Sequence, residues 1–170
     1  LVSAEWAVLI VDRDEEAATS LREKLRAAGG HAESLVGDIT HAGFPERAVT
    51  ACLKSFGRLD GLVNSAGVGL CKPVADISDE EFDQLFDVDL RAAFRFCRAA
   101  IPHMRDGGSI VNIGSVHAHK SVAGYGLYAC VKAALEGLSR GIAADYGIQG
   151  IRANCVLPGY VESPQNRELI

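Results

Sequence analysis

Several features are missing from these 170 residues, and each absence narrows the reading. No apolar run approaches the roughly 18 residues needed to cross a bilayer. Nor do the first residues show a charged region followed by an apolar one, so the expectation is a soluble, cytoplasmic protein with no membrane partner. Charge of one sign is not in great excess: 17 basic against 22 acidic residues leave a net charge of −5, with the two signs interspersed. A basic stripe for a phosphate backbone is absent, and nucleic acid is not expected as a partner. The five cysteines, Cys52, Cys71, Cys97, Cys130 and Cys155, are odd in number, scattered and free of any C-x-x-C pair. That pattern predicts reduced, mostly buried thiols in a reducing compartment. Also lacking, ahead of Trp6, is any Gly-rich turn that opens a helix.

What is present is enough apolar residue, 48%, for one domain with a substantial core. The most informative stretch runs from Gly108 to Lys132. Ile110, Val111, Asn112 and Ile113 form a short, β-branched run that reads as a buried strand, ended by Gly114-Ser115 at a turn. A helical pattern follows in which Tyr128 and Lys132, four positions apart, share one face. A free phenol with a pKa of about 10 is a poor base at neutral pH, but a fixed cation beside it stabilises the phenolate. Each unit of lowering corresponds to about 1.4 kcal/mol. Ser115, delivered by the strand end, would hold a substrate oxygen while Tyr128 exchanges its proton. Taken alone, Tyr-x-x-x-Lys is a commonplace of helix packing. His117 and His119 have a spacing that suits metal, yet no third ligand stands out, so no metal is expected and both read as exposed or substrate-lining loop histidines.

Elsewhere strands and helices alternate. Trp6 to Val11 reads as a parallel-sheet strand closed by Asp12-Arg13-Asp14. An acid at such a strand end accepts both hydroxyls of an adenosine ribose and repels a 2′-phosphate, which favours NAD; Arg13 beside it admits NADP. Glu15 to Ala28 has helical spacing, Leu35 and Val36 lie in a strand followed by Asp38, and Phe44 to Phe56 is helical with Pro45 in its first turn. Leu59 to Val63 is a strand ending at Asn64-Ser65-Ala66-Gly67, whose small residues let a backbone approach a ligand closely. Ser78 and Glu81 form a capping box for a helix continuing to Met104. Gly126 to Tyr146 is the helix carrying Tyr128 and Lys132. Ile151 to Leu157 is a last strand, ended by Pro158-Gly159.

As a set, Asp12, Asp38, Asn64-Ser65-Ala66-Gly67, Ser115, Tyr128-x-x-x-Lys132, Ile151-Arg152-Ala153-Asn154 and Pro158-Gly159 resemble the short-chain dehydrogenase/reductase family in order and spacing, over essentially the whole chain. The resemblance implies an α/β fold, a Rossmann-like doubly wound parallel sheet in three αβα layers, as a single dinucleotide-binding domain over residues 1–170. It implies hydride transfer between NAD(P) and a secondary alcohol or ketone. Ser115 would orient the substrate oxygen, Tyr128 act as acid or base, and Lys132 depress the pKa of Tyr128 and bind the nicotinamide ribose. Implied cofactor contacts are Asp12, Arg13, Asp38 and Ile39 around the adenosine, then Asn64, Ala66, Gly67, Pro158, Gly159, Val161 and Ser163. The two long helices imply a homodimer or homotetramer.

The chain departs from the family at Asp89, where a catalytic Asn is usual; the backbone carbonyl of that Asn holds a water linking the Lys to solvent. A carboxylate near Lys132 would stabilise its charge and weaken its pull on Tyr128. Asp89 therefore motivates a second reading, a catalytically weak dinucleotide-binding oligomer acting through a partner. Epimerase or dehydratase chemistry on a nucleotide sugar also uses Tyr-x-x-x-Lys, but Asn64 to Gly67 and Pro158-Gly159 fit it less well. A family member would begin with a strand and a Gly-rich turn, so about one βα unit is expected before Leu1 and more chain after Ile170. The Trp6 to Val11 and Leu59 to Val63 strands should then stand roughly 9 to 10 Å apart, twice the usual spacing, with an empty lane between them.

Overall fold

The computed structural model of the chain describes residues 6–104 and 106–161. The apolar runs become strands β1 (Val8–Asp12), β2 (Ala32–Val36), β3 (Gly61–Asn64), β4 (Gly108–Ile113) and β5 (Ile151–Val156). Between them lie helices α1 (Glu15–Ala27), α2 (Phe44–Phe56), α3 (Asp79–Phe86), α4 (Ala92–Ala100) and α5 (Gly126–Tyr146). Every strand pairing is parallel: β1 with β2, β3 with β4, and β4 with β5. This is the expected α/β architecture, in which each strand end is followed by a loop able to carry function.

Local chemistry sets the helix limits. Asp14 accepts from the Ala17 N–H at 2.9 Å and opens α1. Glu15 and Glu16 in its first turn and Lys24 and Arg26 in its last complement the helix dipole. Pro45 occupies the first turn of α2, where its missing N–H leaves no bond unmade. The Ser78 and Glu81 capping box is reciprocal, with Glu81 N–H donating to Ser78 Oγ at 3.2 Å and Ser78 N–H to Glu81 Oε2 at 2.9 Å. The stretch from Ser78 to Met104 is not one uniform helix. Between α3 and α4, Asp87–Arg91 form a π-helical turn, and Ile101–His103 form a closing 3₁₀ turn before Met104. A π turn adds a residue to the helical circuit and re-aims the side chains on it. Here Asp89 faces inward and is 2% exposed.

The main core forms where β4, in the middle of its sheet, meets α4 and α5: Ile110, Cys97, Ala100, Met104, Ile142 and Ile151 pack together with Val49 of α2. A second cluster of Phe44, Ala48 and Phe96 receives Val11, Leu35 and Ile39 and so ties the β1–β2 sheet to α4. Gly37 is fixed by this packing, because a Cβ there would lie 2.1 Å from the Phe44 ring. The expectation of mostly buried thiols fails. Cys97 alone is buried, Cys52 and Cys155 are partly so, and Cys71 and Cys130 are exposed, Cys71 in the loop after β3 and Cys130 on the outer side of α5. All five are free. No described helix is long and apolar enough to cross a membrane.

Among the described residues the strands fall into two sheets, β1-β2 and β3-β4-β5, and β1 is not hydrogen-bonded to β3. A cavity of about 750 Å³ lies between them, lined by Val8, Leu9 and Val11 from β1, by Gly61 to Asn64 from β3, and by α2 and α4. The outcome in which the sheet closes on itself is thereby ruled out.

Two substitutions test this account. Ile110→Ala removes a fully buried side chain from the middle of the core and should lower unfolding free energy by about 2 to 5 kcal/mol in a urea titration. Ser78→Ala should cost about 1 kcal/mol, because the Glu81 N–H loses its acceptor while the α3 core contacts stay in place.

Candidate active site

β4 delivers the site. Its last residues are held by β5 in the register Ile113↔Val156, and Gly114 N–H continues the ladder to Val156 O at 2.8 Å. A Cβ on Gly114 would lie 2.7 Å from Leu157 and 2.8 Å from Cys155 Sγ, so only glycine passes between these strand ends. Ser115 follows, 7% exposed, at the head of a 3₁₀ turn over Val116–Ala118. Its Oγ accepts from the His117 N–H at 3.2 Å, which leaves the hydroxyl proton free to donate. Val116 N–H donates to Pro158 O at 3.0 Å and ties this turn to the loop after β5.

α5 supplies the other two predicted groups. A buried polar chain anchors it to the sheet: Asn64 Nδ2 donates to Asn112 Oδ1 at 2.8 Å, Asn112 Nδ2 to Ser139 Oγ at 2.9 Å, and Ser139 Oγ to Leu135 O at 2.8 Å. Lys132, 5% exposed, enters beneath the end of β4, where Nζ donates to Ile113 O at 3.2 Å and stands 5.5 Å from the centre of the Tyr128 ring. Tyr128 is half-buried.

Asp89 completes the cluster from the π turn. Its Oδ2 is 2.9 Å from Lys132 Nζ, and its Oδ1 accepts from the Val68 N–H at 2.8 Å. Among the described residues Oδ2 has no donor aimed along a hydrogen-bonding direction, so the contact with Lys132 is an ion pair rather than a well-directed hydrogen bond. Burial pushes the Asp89 carboxyl up from the usual carboxylate range, opposed by Lys132 and the Val68 N–H. Gly67 passes so close that a Cβ would meet Asp89 Oδ2 at 3.0 Å and Lys132 Nζ at 3.2 Å. The small residue there is a requirement of the ion pair beneath it.

The residues expected around a dinucleotide lie at or after the carboxyl ends of the strands. Asp12 ends β1 and is exposed, with Oδ1 accepting from the Asp14 N–H at 3.0 Å. Asp38 follows β2, and the Thr40 N–H and hydroxyl, both on its Oδ1, hold its carboxyl below the usual range, helped by His41 and Arg13. Arg95 donates to Thr40 O at 2.8 Å and fixes this loop against α4. Ile39 is half-buried on the Phe44 and Phe96 cluster. The Asn64 amide nitrogen is turned into the protein and donates to Asn112 Oδ1 and Cys97 Sγ. Ser65, Ala66, Gly67, Pro158, Gly159 and Val161 lie in the loops after β3 and β5. Ser163 lies outside the described residues.

One group of residues was under-read in the sequence. The His117 ring stacks on Tyr125 at 4.6 Å, and both rings meet Tyr128 edge-on at 5.9 Å. Burial, the Cys71 thiol and Tyr128 push the Tyr125 phenol up. The signal was available, since Tyr125 sits three residues before Tyr128 and His117 two after Ser115. His119 points elsewhere, to Glu136 at 3.0 Å. Among the described residues no group of three or more His, Cys, Asp or Glu is placed to hold a metal ion.

Comparison with known proteins places the chain in a family. A family profile described as Enoyl-(Acyl carrier protein) reductase matches residues 1–169. The short-chain reductase protein NovJ of Streptomyces niveus is 36% identical over 99% of this chain, and the cyclopentanol dehydrogenase of a Comamonas species is 34% identical over 100% of it. The chain spans 65% of the length of the first and 69% of the second. The crystal structure of a gluconate 5-dehydrogenase from Burkholderia cenocepacia, in complex with NADP and tartrate, superposes with a TM-score of 0.93 at 33% identity over 99% of this chain and 67% of that one. Profile, relatives and fold coincide: the chain belongs to the short-chain dehydrogenase/reductase family.

Proposed function

We propose that the protein is an oxidoreductase transferring a hydride between NAD(P) and a secondary alcohol or ketone, with Ser115, Tyr128 and Lys132 as its proton-transfer site. The observation that carries this reading is the buried Lys132 ammonium held 5.5 Å from the Tyr128 ring, beside the strand end that carries Ser115. A cation fixed so close favours the phenolate. In the direction of ketone reduction, Ser115 donates a hydrogen bond to the carbonyl oxygen and Tyr128 gives it a proton as its negative charge develops. Lys132 then stabilises the phenolate left behind. In the reverse direction the phenolate is the base.

A dinucleotide is supported as the cofactor by the acids at the ends of β1 and β2 and by the glycine approach at Gly67. When bound, it supplies or accepts the hydride. Asp12, Arg13, Asp38 and Ile39 would hold its adenosine end, and the loops after β3 and β5, including Val161 and Ser163, its nicotinamide end. NAD is favoured over NADP. Asp12 would present a carboxylate to the ribose and repel a 2′-phosphate, and this outweighs Arg13 beside it. We read the lane between β1 and β3 as the berth of a further parallel strand of the whole protein, a reading supported by the cavity and by two strands each paired on one side alone. A homodimer or homotetramer is supported by the exposed Phe94 of α4, and a cytoplasmic location by the free cysteines.

The Asp89 ion pair favours a second reading, a catalytically weak dinucleotide-binding oligomer acting through a partner. A panel of small ketones separates the two: NADH consumption supports the enzyme, whereas tight cofactor binding without turnover supports the alternative.

Tyr128→Phe keeps the ring and removes the ionisable oxygen, so turnover should fall by about 10²-fold or more with cofactor binding intact. Near-normal turnover in steady-state assays overturns the assignment. kcat/KM should be about tenfold or more higher with NAD than with NADP, and Asp12→Ala should narrow that ratio, since a 2′-phosphate no longer meets a carboxylate.

A further inference from the structure

We propose that Asp89 is a positioning residue for the Tyr128 and Lys132 pair, its buried carboxylate locking the ammonium in place and drawing part of its charge away from the phenol. The inference rests on Tyr128 being the proton-transfer group. It goes beyond the backbone carbonyl role that the resemblance implied for this position, because here the side chain itself reaches the lysine.

Three observations carry it. The side chains are sealed, with Lys132 at 6% and Asp89 at 0% exposure, and their charged atoms are 2.9 Å apart, so the carboxylate is a fixed counter-charge. Its orientation is set from outside the pair by the Val68 N–H on Oδ1, and Gly67 leaves just enough room above both groups. The π turn at Asp87–Arg91 brings the carboxylate here. The other groups facing this centre are few. Ile113 O from β4 accepts from Nζ, and the Cys155 thiol of β5 feels Lys132 together with Glu136 and Arg140. Tyr128 is bordered by His117 and Tyr125, with Cys71 behind Tyr125. Among the described residues Asp89 is the carboxylate in contact with the ammonium, and Ile113 O still holds Nζ when Asp89 is neutralised, so the phenol then faces a cation with no counter-charge beside it.

The test is a titration of the Tyr128 phenolate by its near-ultraviolet absorbance in the full-length protein, isolated by difference from Tyr128→Phe. Asp89→Asn retains an oxygen for the Val68 N–H and should move the Tyr128 midpoint down, by about one pH unit or more, the scale on which removing one nearby charge acts at an effective dielectric constant of about 20. Asp89→Glu should restore the midpoint toward that of the unsubstituted protein. A midpoint that stays put or rises in Asp89→Asn overturns the proposal; a purely structural carboxylate would change stability and leave the midpoint alone. Should the Asn variant fail to fold, carbon-13 spectra of the unsubstituted protein decide. The Tyr128 Cζ resonance has to shift as Asp89 takes up its proton, and indifference to that step overturns the proposal. Neither readout uses turnover, so loss of the proposed activity and loss of this coupling are seen separately.

Discussion

A lysine side chain ends in a place nearly closed to water, and much of the site is arranged around its nitrogen. An ammonium stripped of its hydration costs several kcal/mol unless it is paired and hydrogen-bonded. Lys132 is given a carboxylate from the π turn and a carbonyl from the end of β4. Gly67 yields space, and Val68 orients the carboxylate. Three segments distant in sequence thus converge on one nitrogen carried by a fourth. Removing either partner of such a pair leaves an uncompensated buried charge, at a cost of about 3 to 5 kcal/mol, so the arrangement ties local charge to global folding.

The sheet makes that convergence possible. β4 lies between β3 and β5, and its side chains face helices on one side and the other. Ile110 buries completely, while Asn112, also completely buried, spends its amide on Asn64 and Ser139. That amide bridge couples β3, β4 and α5, and it explains how α5 is seated firmly enough to present Tyr128 and Lys132 at a strand end it does not itself contain. A polar residue at the centre of a parallel sheet is tolerated because its hydrogen bonds are satisfied.

At the mouth of the site the aromatic groups serve a different end. His117 and Tyr125 stack face to face and both meet Tyr128 edge-on, restricting its ring. Lys132 approaches the Tyr128 ring with its ammonium at 5.5 Å, and this stack confines the ring by shape. Preorganisation of that kind reduces the ordering that a reacting complex would otherwise require.

The sequence by itself determined the elements and the order of the chemistry. Apolar runs of strand length, Pro45 in a first helical turn, the Ser78 and Glu81 box, and the four-residue step from Tyr128 to Lys132 are local signals, written in neighbouring residues and set by backbone geometry. The candidate residues Asp12, Asp38, Gly67 and Ser115 stood out because they sit at strand ends and in the loops after them, where small or polar residues interrupt apolar runs. The direction of a side chain was not. That Asn64 turns inward to Asn112, that Asp89 reaches Lys132 instead of leaving its backbone to serve, and that Cys71 and Cys130 are exposed are outcomes of packing between segments tens of residues apart. The tertiary structure decided them, because the cost of burying a polar or charged group depends on which partner the fold brings within about 3 Å, and no local pattern encodes that partner.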